Sequence, residues 1–218
     1  MKRLLVPFHM RLALNAYSSG DYTRAEKHFR RIEELSPNHR GVRHNLALTA
    51  MGRGDFAAAE PLLLAELEDL GEFYPRLRVL ADLYYSWGRF DRAAEFYRRA
   101  TVDADVPDHD RDYLDWRLAI CVDPDAAERA REATRLYHEG TEAQATGDSE
   151  RAYRLFEQCA ALDPTNHPAI NNMGVIRMND RGDYAGAIEA FEQAYRIQPV
   201  EIVRANLARA RSMLEGHR

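Results

Sequence analysis

The chain has 218 residues, 45% of them hydrophobic and 30% charged, the balance of an ordinary folded protein rather than a disordered one. A net charge of −5 and the lack of any long run of Lys or Arg leave no basic excess for a phosphate backbone, so no nucleic acid partner is expected. No stretch approaches the roughly 18 consecutive apolar residues of a membrane span, so no membrane insertion is expected either.

The start, Met1-Lys2-Arg3-Leu4-Leu5-Val6-Pro7-Phe8, has the charge of a secretion signal but not its length, because His9 and Arg11 interrupt the apolar run. The expected location is therefore cytoplasmic. From Leu12 a fixed period takes over. Leu12-Ala13 recurs as Leu46-Ala47 and Leu80-Ala81, Gly20 as Gly54 and Gly88, Ala25 as Ala59 and Ala93, and every interval is 34 residues. The turn aromatic Tyr22 recurs as Phe56 and Phe90, and the large residue Phe29 as Leu63 and Tyr97. A period of that size means stacked supersecondary units rather than one globular core. The spacing predicts helices over 7–18, 22–35, 40–52, 55–69, 75–87 and 90–102.

Each landmark has a physical reason. Leu12 and Ala16 share one face of the first helix. Gly20 ends that helix where a positive φ is needed, and Asp21 can cap the next. Ala25 is small where two helices cross closely, and Phe29 and Ile32 fill the layer beside it. Pro37 stops the second helix. The second repeat is less regular, with Pro61 inside its second helix, Glu66 in a small-residue position and Gly71 in place of the closing proline.

After Ala100 the rhythm breaks at Thr101-Val102-Asp103-Ala104-Asp105-Val106-Pro107-Asp108, read as a longer connection. A helix over 109–122 is cut short by Asp123-Pro124. From Ala93 to the next equivalent alanine, Ala152, is 59 residues, one full period and a remainder of 25, so one repeat has lost part of itself. A long helix over 124–146 follows, then landmarks Gly140, Ala152, Phe156, Cys159 and Pro164, then Met173-Gly174, Gly182-Asp183-Tyr184, Ala187, Phe191, Ala194 and Pro199. A last helix over 201–215 has the composition of a terminal cap.

Taken together these residues resemble the tetratricopeptide repeat, a helix-turn-helix unit of 34 residues. The resemblance implies an all-α, right-handed solenoid of stacked antiparallel helix pairs with a C-terminal capping helix. Its expected division is three repeats over 6–107, a truncated and irregular repeat forming a seam over 108–132, two further repeats over 133–201, and the capping helix and tail over 202–218.

Candidate chemistry is sparse. Arg53-Gly54-Asp55 and Arg181-Gly182-Asp183 spell an adhesion tripeptide, but both fall on the repeat's own turn, where Gly and Asp serve the backbone. The cluster Asp103, Asp105, Asp108, His109, Asp110 and Asp112 lacks the spacing, central glycine and terminal glutamate of a calcium loop, and reads as a solvated acidic loop leading into a helix N-terminus. The eight histidines form no pair at ligand spacing along a helix, and Cys121 and Cys159 have no metal spacing. With no nucleophile motif and no phosphate-cradling loop, neither catalysis nor a metal or cofactor is expected.

What remains is the surface. In the family resembled, the first helices of successive repeats line a concave groove that holds a peptide or helix. Three rows are expected there: Met10, His44, Arg78, Tyr137 and Asn171; Leu14, Leu48, Asp82, Thr141 and Val175; and Tyr17, Met51, Tyr85, Gln144 and Met178. The subclass that clamps a chaperone tail by its carboxylate uses Lys, Asn and Arg. The corresponding residues here are Met10, Leu14, Asn45, Pro75 and Val79, of which only Asn45 matches. The expected function is a non-catalytic scaffold or adaptor that binds a protein segment. A structural homo-oligomer, or an accessory subunit or chaperone of a larger enzyme or secretion complex, remains the alternative.

Overall fold

The computed structural model describes residues 5–37 and 39–216, with the side chain of His109 outside the description. The charged start Met1–Leu4 and the last two residues of the predicted tail lie outside the described residues. Among the described residues there are twelve helices and no strand: α1 Val6–Ser18, α2 Tyr22–Leu35, α3 Val42–Gly52, α4 Phe56–Leu70, α5 Tyr74–Ser86, α6 Phe90–Thr101, α7 Asp108–Val122, α8 Pro124–Ala145, α9 Ser149–Leu162, α10 His167–Asp180, α11 Tyr184–Ile197 and α12 Glu201–Gly216. They group into two compact units that divide between Asp105 and Val106.

The first unit holds three antiparallel pairs, α1 with α2, α3 with α4 and α5 with α6. The crossing alanines Ala25, Ala59 and Ala93 are fully buried, and Phe29, Leu63 and Tyr97 fill the layer beside them. Each turn uses a glycine in the left-handed region, with φ of 78° at Gly20, 74° at Gly54 and 73° at Gly88. Asp21 and Asp55 then accept a hydrogen bond from the backbone N–H three residues on, each cap contributing about 1 kcal/mol. The third turn has Arg89 in that position and no side-chain cap; its guanidinium instead stacks 3.5 Å from the centroid of Trp87. Helix α3 begins at Val42 rather than 40, because Gly41 before it adopts φ 81°. Pro61 sits inside α4 without ending it.

The second unit repeats the same grammar. Asp148 and Asp183 cap α9 and α11, Ala152 and Ala187 are fully buried, and Phe156 and Phe191 fill the layer. Gly140 and Gly174 are required by close approach, since a Cβ on either would lie 2.6 Å from the ring of Phe156 or Phe191. Helix α8, at 22 residues, is capped by Asp123 and buries Ala127, Ala130, Ala133 and Leu136 along one side.

Helix α7 departs from the pattern. Arg117 is buried and reaches the turn after α9, where Nη1 donates to Asp163 Oδ2 at 3.2 Å and Nη2 to the carbonyl of Thr165 at 3.0 Å. Two turns earlier on α7, Asp110 accepts from Gln198 Nε2 at 3.3 Å, in the turn after α11. Asp163 and Gln198 are 35 residues apart, the same interval as Ala152 and Ala187, so they are equivalent positions in successive repeats. Helix α7 thus bridges two consecutive repeat turns instead of opening a pair of its own. Asp110 and Asp103 correct the expectation of a wholly solvated acidic stretch: Asp110 is buried, and Asp103 accepts from the backbone N–H of Tyr74 at 2.9 Å.

Candidate partner-binding face

In the first unit the expected face is carried by α1, α3 and α5. Leu14, in the middle of α1, leaves 45% of its surface exposed, an apolar side chain only partly covered. Met10, Leu48 and Met51 are half-buried, with Met10 and Tyr17 packed against the cluster of Ala13, Phe29, Ile32 and Leu46. Tyr17 meets Tyr22 edge to face at 5.5 Å, and burial, with Tyr22 beside it, pushes its phenol up to about 12. It is therefore a neutral hydroxyl at physiological pH.

Between α3 and α5 lies a cavity of about 420 Å³, lined by His44, Asn45, Glu66, Phe73, Arg78 and Val79 among others. His44 Nδ1 stands 2.9 Å from Glu66 Oε2, so the residue that broke the small-residue rule of the second repeat ties its two helices together. Asp82 accepts from the Tyr97 hydroxyl at 2.6 Å. Tyr85 is a correction: only 3% exposed, it meets Phe90 at 5.2 Å and Tyr97 at 6.5 Å, so it is core rather than surface.

The second unit closes more of its share. Tyr137 is half-buried with its ring 5.9 Å from Phe156, and Thr141 turns its hydroxyl back to the carbonyl of His138 at 2.8 Å. Val175 is half-buried against a cluster that includes Phe191, Val203 and Ala210. Met178, 2% exposed, belongs to that cluster, and Asn171, 9% exposed, accepts from Asn206 Nδ2 at 3.0 Å. Both are corrections, because α12 supplies Asn206, Val203 and Ala210 to the face that α10 was expected to leave open.

Two features escape sequence reading. His9 on α1 and His28 on α2 meet with their Nδ1 atoms 3.0 Å apart, although no helical spacing links them. The clasp of Arg117, Asp163 and Thr165 joins residues 46 and 48 apart, and repeat alignment has no row for it. Among the described residues no group of three or more His, Cys, Asp or Glu gathers where it could hold a metal ion, and no helix is long and apolar enough to cross a membrane.

The sequence profile of the tetratricopeptide repeat family matches residues 10–75, 44–109 and 137–202. The chain belongs to this family of protein-interaction repeats. No curated protein matches it in sequence. Among solved structures, a tetratricopeptide repeat protein from Parabacteroides merdae is 15% identical, with 95% of this chain and 93% of that one covered at a TM-score of 0.47. A thermophilic repeat protein of Thermus thermophilus, TTC0263, is 18% identical over 94% and 98% at 0.40. YrrB, described as having an unusual peptide-binding site, is 15% identical over 92% and 90% at 0.43.

Proposed function

We propose that the chain is a non-catalytic scaffold whose first unit binds a protein segment along α1, α3 and α5. The observation that carries this reading is the run from exposed Leu14, past half-buried Leu48 and Met51, to the cavity between α3 and α5. The apolar side chains favour hydrophobic anchors, and unbranched Met51 adapts to their shape. At the cavity, His44, Asn45, Glu66 and Arg78 present polar groups that orient a backbone without forming a basic clamp. Asp82, Met10 and Tyr17 lie on the same helices, while Tyr137, Thr141 and Val175 form the smaller counterpart in the second unit.

Affinity capture with the wild type beside Leu14→Glu combined with Leu48→Glu tests it. Both substitutions place charge at partly exposed positions, and unchanged helicity by circular dichroism confirms folding. The expected outcome is a partner retained by wild type and lost by the double variant. Retention of that partner by both would place binding elsewhere.

A further inference from the structure

The bridge made by α7 leaves a space that a regular repeat does not contain. Beside the clasp, Trp116 and Ile120 of α7 line an open apolar groove of about 580 Å³ together with Pro164 and Thr165 of the turn after α9 and Ile197 at the end of α11. Trp116 is 49% exposed although it lies on a helix pinned at two points. The cavity is within the range of ligand pockets and has room for two or three large side chains. Its polar backbone is already satisfied on one side, because the Thr165 carbonyl is taken by Arg117. The walls therefore favour apolar content.

At the lip stands Arg196, on the last turn of α11. It is exposed and forms no ion pair or hydrogen bond among the described residues. The carboxylate one helical turn before it, Glu192, is engaged by Arg211 at 2.7 Å. A guanidinium without a protein partner beside an apolar pocket is complementary to a carboxylate that follows a bulky apolar side chain, and a guanidinium can take that carboxylate bidentately.

We propose that this pocket is a second binding site, separate from the first-helix face, for a protein segment in which a large apolar side chain is followed closely by an acidic group. The apolar side chain fills the space between Trp116, Ile120 and Ile197, and the carboxylate pairs with Arg196. The site exists only because the truncated repeat lays α7 across two turns, so it is a property of this chain and not of the repeat unit.

The chain has two tryptophans, Trp87 and Trp116, so Trp87→Phe leaves Trp116 as the sole reporter. A displayed library of random dodecapeptides is selected against the full chain, and the recovered peptides are synthesised and titrated against Trp87→Phe. Recovered sequences should place an aromatic or leucine just before Asp or Glu, and binding should shift Trp116 emission to the blue as solvent leaves the ring. Arg196→Glu should weaken these peptides by about tenfold or more and Ile120→Glu should abolish the shift, while Leu14→Glu with Leu48→Glu leaves it intact. Because Arg196 is exposed, Arg196→Glu is not expected to disturb the fold, and circular dichroism checks this. Recovered peptides without acidic residues, or equal binding by Arg196→Glu, would overturn the proposal. So would a Trp116 shift driven by protein concentration alone together with dimer formation in sedimentation, since the occupant would then be a second copy.

Discussion

Arg117 shows what one side chain can decide. It is buried with Asp163, and both are held further, Arg117 by the Thr165 carbonyl and the face of Tyr113 and Asp163 by the Thr165 N–H and hydroxyl at 3.0 and 2.6 Å. Such a pair gains little over an apolar substitute, but losing one partner strands the other charge away from water. Arg117→Ala should lower unfolding stability by about 3–5 kcal/mol in urea denaturation. A loss under about 1 kcal/mol, the scale of an exposed ion pair, would mean that Asp163 finds water and that α7 is held by other contacts. Cys159, close to this clasp, has its thiol pushed up to about 12 by burial and by Asp163, as befits an inert core residue.

At the scale of helices, the pairing of α1 with α2 carries a sensitivity to acid. Burial, His9, Arg24 and Lys27 hold His28 below its ordinary value of 6.5, and burial does the same for His138 on α8 against the opposing pull of Glu142. The folded chain therefore binds fewer protons at these sites than the unfolded chain once the pH drops below about 6.5. Stability from this source is complete above that value and is lost as the pH falls toward the lower folded-state values. The urea midpoint should be lower at pH 5.8 than at pH 7.5, conditions chosen to bracket the imidazole range, and His28→Asn should narrow the gap. An unchanged gap in that variant would move the effect away from the α1–α2 contact. None of this was legible in spacing, because His9 and His28 lie on different helices and meet only when those helices pack.

The regular elements, by contrast, were legible, since each depends on neighbours within one period. Gly20 with Asp21 and Gly182 with Asp183 encode a helix stop and a helix start within two residues, so their turns could be placed from sequence. The rows expected on the first helices could be read as positions and not as exposed surfaces. Periodicity puts Tyr85 and Met178 in a row with Tyr17, but burial depends on what the neighbouring layer contains, here Phe90 and Tyr97 for one and the cluster joined by α12 for the other. The break in spacing between Ala93 and Ala152 was visible in the sequence, whereas the destination of α7 was not, because Arg117 itself has no counterpart in the repeating rows that would point to Asp163.

For the molecule as a whole, the division between Asp105 and Val106 predicts two folding units, each with its own buried layer. Val102, Ala104 and Asp105 are exposed next to this boundary. A protease that cuts before aspartate should attack first at Asp103 or Asp105, and each fragment should keep its helical signal. Initial cleavage inside α8 or α4, or loss of helicity in either piece, would show that the units depend on each other for stability.

Repeat arrays ordinarily lengthen by duplication, because each unit meets only its neighbours and one more period disturbs nothing beyond them. The first unit retains that freedom. In the second, Asp110 and Arg117 are two helical turns apart, about 10.5 Å along the axis, and that length is matched to the separation of two adjacent turns. A period inserted between Asp163 and Gln198 would carry those anchors to about twice the distance, and α7 would reach only one of them. The same helix that lines a pocket thus holds the interval between these two turns to a single period, closing that one place to the duplication by which such proteins usually expand.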